Sequence, residues 1–103
     1  MQHMAGLSPA GVIYALAHDA KLRSFLRDDM IEAMPARRSR RIQLLNEVAQ
    51  VFEPGVRYPE SEVNELLGAI YPDYASLRRY LVDEELMARA EGIYWRIGGP
   101  VAP

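Results

Sequence analysis

Apolar residues recur at steps of three and four along most of the chain, and at steps of two only near its end. Ser8-Pro9 reads as an N-cap and first helical residue, and Val12, Ile13 and Leu16 continue at helical spacing. Asp19 offers a second cap, and Leu22, Phe25, Leu26, Met30 and Met34 extend the apolar stripe. Residues 5–34 are therefore predicted as a helical extension, one bent helix or two. Pro35 ends it, since proline lacks the amide donor and clashes with the preceding turn.

A second helical pattern runs from Ala36 to Phe52, with Ile42, Leu44, Leu45, Val48, Ala49, Val51 and Phe52 on one half of the cylinder. Glu53-Pro54-Gly55 reads as a turn. Tyr58-Pro59 opens a third element, with Glu60 and Glu62 in its first turn, where carboxylates suit the helix dipole. Val63, Leu66, Leu67 and Ile70 keep helical spacing until Tyr71-Pro72. Asp73 then caps a fourth helix with Tyr74, Leu77, Leu81 and Val82 inward. The short connection between these two helices is of the length used by helix-turn-helix units. After Glu84-Glu85 the period drops to two: 86–89 and 93–97 read as strands joined by Ala90-Glu91-Gly92. Ile93, Trp95 and Ile97 share one face, Tyr94 and Arg96 the other. The expectation is a mainly α fold with a small C-terminal β-hairpin, namely a winged helix with one or two extra N-terminal helices. Residues 1–4 read as an expression remnant, 5–34 as the extension, 35–97 as the winged-helix domain and 98–103 as a flexible tail.

Composition narrows the chemistry. The chain has 103 residues and no cysteine, which excludes disulfides, thiol catalysis and cysteine-built metal centres. Two histidines, His3 and His18, are too few for a histidine metal site. No basic leader or long apolar span predicts a secreted or membrane protein, so the cytoplasm is expected and no membrane partner. The net charge is −2, but it is unevenly placed: +2 over residues 1–52 and −4 over 53–103. No H-E-x-x-H, G-x-S-x-G, calcium loop or phosphate-cradling glycine loop is present, so neither enzyme activity nor a cofactor is expected.

Arg37, Arg38, Arg40 and Arg41 form the sharpest cluster. Cations in the first turn of a helix oppose its dipole. One reading is a clamp on phosphates, with counterion release on binding; the other is pairing with Asp28, Asp29 and Glu32. On the fourth helix the 3.6-residue period turns Arg78 inward, toward a carboxylate such as Glu62 or Glu65. The same period turns Arg79 outward beside Ser76, as on a helix that reads a DNA groove. Arg89 and Arg96 of the hairpin are further phosphate candidates, although Glu91 at its tip opposes them. Tyr94 and Trp95 read as packing before they read as a base-stacking pair.

Phe52, Pro54, Gly55 and Tyr58, then Glu62-Val63-Asn64, the segment Asp73–Asp83 and finally Tyr94-Trp95 resemble the bacterial family catalogued as domain of unknown function 2087. With Met34-Pro35-Ala36-Arg37-Arg38 the likeness covers residues 21–97. It implies a winged-helix-like module sometimes attached to transcription regulators, and no established chemistry. This chain departs from the pattern at Pro59, where a serine or threonine cap is usual, so the cap must come from elsewhere. Ala15–Arg23 also looks like a stretch of ArsR-type repressors. Two functions follow as expectations. The first is a transcription-regulator module binding double-stranded DNA. The second is an interaction or dimerisation module, without DNA binding, that docks a second copy or a regulator protein.

Overall fold

Three of the four α-helices in the described residues begin where an acceptor waits for a first free amide. In the computed structural model, which describes residues 6–100, Ser8 Oγ accepts from the Gly11 amide (3.0 Å) at the head of α1 (Pro9–Ala17). Asp73 does the same for the Ser76 amide (3.2 Å) at the head of α4 (Tyr74–Asp83). Between them lie β1 (Leu26–Arg27), β2 (Met30–Ile31), α2 (Arg38–Ala49), β3 (Arg57–Pro59) and α3 (Glu60–Gly68). The chain closes with β4 (Met87–Ala90) and β5 (Ile93–Arg96). At α3 the capping residue is Pro59, which has no side-chain acceptor. The missing cap is supplied from another element: the Glu60 amide donates to the Gly92 carbonyl (2.9 Å) in the β4–β5 turn.

The expected winged helix, mainly α with one C-terminal hairpin, is overturned. The strands are interleaved through the chain and form two antiparallel sheets, β1-β2 and the three-stranded β3-β5-β4. The first correction lies at residues 22–34, predicted helical. There Arg23–Phe25 forms a single 3₁₀ turn, followed by a hairpin pairing Arg27 with Met30. Asp28 (φ 53°) and Asp29 (φ 61°) both take the left-handed conformation that a two-residue hairpin turn requires, which aspartate tolerates better than most residues. The apolar spacing of the segment fits a helix and a hairpin equally, and the Asp-Asp turn decides between them. The Ile31 amide then donates to the Ile70 carbonyl (2.8 Å), tying this hairpin to the end of α3.

The second correction lies at Tyr58-Pro59. Proline pushes the residue before it toward extended backbone. Tyr58 accordingly pairs with Tyr94, and β3 joins the sheet before the helix starts. The turn at Glu91 (φ 51°) and Gly92 (φ 78°) closes β4 on β5, with Arg89 opposite Tyr94.

One buried cluster unites Val12 and Leu16 of α1, Leu44, Leu45 and Val48 of α2, Val63 and Leu67 of α3, and Leu77 and Leu81 of α4. The three-stranded sheet adds Tyr58, Met87 and Tyr94 to this cluster, while Arg57 and Trp95 occupy its other face. Within residues 98–103, expected as a flexible tail, the Gly98 amide donates to the Leu86 carbonyl (3.2 Å), and Arg96 donates to the carbonyls of Gly98 and Pro100. Residues 1–4, read as an expression remnant, and residues 101–103 lie outside the described residues. Among the described residues no helix is long and apolar enough to cross a membrane.

Candidate nucleic-acid interface

The arginine cluster at the head of α2 divides into engaged and free groups. Arg38 meets Glu84, just past α4, fork to fork through Nη2–Oε1 (2.8 Å) and Nε–Oε2 (3.2 Å). Arg41 donates to the carbonyls of Pro35 and Ala36, both at 3.1 Å, and its guanidinium lies 5.3 Å from the Tyr80 ring centre. Arg40 donates to Gln43 (3.2 Å) and stays half-exposed. Arg37 is exposed, and its side chain makes no hydrogen bond or ion pair among the described residues. The pairing expected with Asp28, Asp29 and Glu32 is not found. Glu32 pairs with Arg27 (3.5 Å), and the cluster's carboxylate is Glu84, 46 positions further on.

On α4 the two neighbouring arginines part company. Arg79 is exposed, and its side chain makes no hydrogen bond or salt bridge among the described residues. Ser76, its expected companion, spends both its amide and its hydroxyl on Asp73, the latter at 2.7 Å. Those bonds, with a smaller contribution from the Arg79 charge, hold the Asp73 carboxyl below its ordinary pKa. Arg78 is half-buried. It bonds Asn64 and lies 3.8 Å from Glu60, so the carboxylate is Glu60 and not the expected Glu62 or Glu65. The Tyr94 hydroxyl donates to Glu60 (3.1 Å) and accepts a long bond from Arg89 (3.4 Å). Sequence reasoning missed this network of Glu60, Asn64 and Tyr94. Its signal was the i, i+4 spacing of Glu60 and Asn64, which sets both on one side of α3.

Arg96 is withdrawn from the phosphate candidates. It is 9% exposed and donates to the carbonyls of Phe52 (3.0 Å) and Gly98 (2.9 Å) as well as that of Pro100. Burial lowers its pKa without threatening its charge. Arg57 was missed: on the outer face of the sheet its guanidinium stacks 4.4 Å from the Trp95 ring centre. Period-two reasoning applied to residues 57–59 would have found it once that segment was seen as a strand.

Between α4 and β4 opens a cleft of about 340 Å³, with Arg78, Arg79 and Arg89 on its walls. Ala75 and Val82 give it an apolar floor, and Asp83 and Tyr94 complete the lining. At 100° per residue, this side of α4 lies about 160° around the axis from Tyr80 and Glu84, which hold the head of α2. The two arginine sets thus flank α4 on opposite sides, with Ser76, Arg79 and Asp83 on the ridge between them. Among the described residues no group of three or more histidine or acidic side chains is placed to hold a metal ion.

A family model described as an uncharacterized protein conserved in bacteria, DUF2087, matches residues 30–96, a span that contains every residue of this interface. No curated protein and no solved structure matches the chain.

Proposed function

The chain belongs to the DUF2087 family, and from that premise we propose that it is a cytoplasmic transcription-regulator module that binds double-stranded DNA along the ridge of α4. The single observation carrying this reading is the placement of exposed arginines on the ridge and on both of its flanks. Arg79 stands on the ridge, Arg89 on the hairpin side and Arg37 at the head of α2, all three exposed, with half-exposed Arg40 beside Arg37. The major groove of DNA, about 12 Å wide, admits one helix. A helix seated there has a sugar-phosphate strand on either hand, which the flanking cations would meet. Arg38 and Arg41 act indirectly, since their bonds to Glu84 and beside Tyr80 fasten α2 to α4 and fix the separation of the two flanks.

Fluorescence anisotropy with a labelled duplex of mixed sequence tests the reading at about 50 mM salt, where phosphate contacts are strongest. Binding that weakens with added salt and with Arg37→Ala, Arg79→Ala or Arg89→Ala is expected. No binding at that salt concentration overturns it. One observation favours the second reading, a dimerisation module: α1 carries no charged residue and leaves Tyr14 66% exposed, with Leu7, just before the helix, 38% exposed. Light scattering on the purified chain decides that reading, which a monomer at high concentration would exclude.

A further inference from the structure

The cleft beside α4 gathers more positive charge than it balances. Three guanidinium groups from two elements line it, against one lining carboxylate, Asp83, in a chain whose net charge is −2. Glu60 behind the wall partly answers Arg78 at 3.8 Å. Arg79 has no salt bridge among the described residues, although its charge acts on Asp73, and Arg89 is held by the 3.4 Å bond to the Tyr94 hydroxyl and, more weakly, by the charge of Glu60. A bond that long gives little up when broken. Arg89 already lines the cleft, while Asn64 holds Arg78 on the other wall. Converging like charges of this kind are satisfied by an anion that accepts several N–H bonds at once, and guanidinium forks match phosphate oxygens.

We propose that this cleft is a binding site for a small phosphate dianion, held between Arg78, Arg79 and Arg89. The volume of about 340 Å³ sits at the lower end of the range for small-molecule pockets and exceeds what a bare phosphate fills. Ala75 and Val82 offer an apolar floor to a compact organic group carried by the phosphate. The site goes beyond duplex binding and does not depend on it. Because Arg79 and Arg89 serve both, a ligand in the cleft and a DNA duplex exclude one another.

The test is a titration of the full chain with inorganic phosphate and, separately, with glycerol 3-phosphate, ionic strength being held constant with sodium chloride. Arginine side-chain Nε–H resonances report the site directly. Saturable shifts at Arg78, Arg79 and Arg89, with Arg37 and Arg40 unmoved, are expected. The Arg79→Gln/Arg89→Gln variant should lose at least tenfold in affinity while melting at the parental temperature, since both side chains are exposed. Equal responses to the two probes identify free phosphate as sufficient, and a stronger response to the ester assigns a share to the organic group. Shifts that rise without saturation at every exposed arginine, or that chloride reproduces, overturn the proposal. Saturable phosphate binding without duplex binding leaves this site standing and removes the DNA reading. Duplex binding without saturable phosphate binding does the reverse.

Discussion

Single residues set the electrostatic terms of this fold, and two of them give opposite lessons about burying charge. Glu47 lies half-buried on α2, where burial first and the charge of Asp19 second push its carboxyl above the ordinary 4.5. A raised acid binds more protons in the folded state than in the unfolded one. Stability therefore falls as pH climbs from about 4.5 through the folded value, and stays reduced above it. Glu47→Gln keeps an oxygen for the 3.0 Å bond from Gln50 and removes the charge. It should melt higher than the parent at pH 7 and no differently below about pH 4, as thermal melts across that range would record. Arg96 stands at the other extreme, its own side chain buried and its charge spent on three carbonyls, that of Phe52 in a buried bond. Arg96→Met fills similar space yet abandons those acceptors. Denaturant unfolding should show a loss of about 1.5–3 kcal/mol, the range for hydrogen bonds that involve a charged partner.

Elements, rather than residues, show where sequence reasoning succeeds. The order and much of the extent of α2, α3 and α4 are legible because each carries an apolar stripe and a stop signal, and α4 also carries its own cap in Asp73. The β4–β5 hairpin is legible from Gly92 and the change of period. The β1–β2 hairpin is not, because Leu22, Phe25, Leu26, Met30 and Met34 satisfy helical spacing while the deciding turn is a pair of aspartates rather than glycine. Strand β3 hides behind a proline that suits the start of a helix as well as the end of a strand. Of the candidate site, Arg79 and the inward turn of Arg78 follow from helical period alone. The partners Glu84, Glu60 and Asn64 do not, since they depend on how elements distant in sequence dock. The N-terminal extension shares the core, since Leu16 of α1 is fully buried in the common cluster. Leu16→Ala should cost about 2–5 kcal/mol in chemical denaturation, as a truncation in a shared core does. A loss below 1 kcal/mol would mean that α1 folds over the rest without supporting it.

At the scale of the whole molecule, an acidic chain carries a local cationic surface, so binding should depend on salt more steeply than its net charge suggests. If Arg37, Arg40, Arg79 and Arg89 each neutralise one phosphate, log K should fall against log salt with a slope of about −3 to −4. Replacing any one of them should reduce that slope by about one unit. A flat salt dependence with appreciable affinity would indicate contacts made elsewhere than at these side chains.

Pro59 has a consequence for how molecules of this protein avoid one another. Tyr58 pairs with Tyr94 and the Glu60 amide reaches Gly92, so the intervening position turns its nitrogen away from β5, toward the open margin of the sheet. A proline there presents no donor to an incoming strand. Pro59→Thr would give α3 a side-chain cap and at the same time restore that donor. The variant should melt higher when dilute yet scatter more light on concentration, trading colloidal safety for a better-started helix.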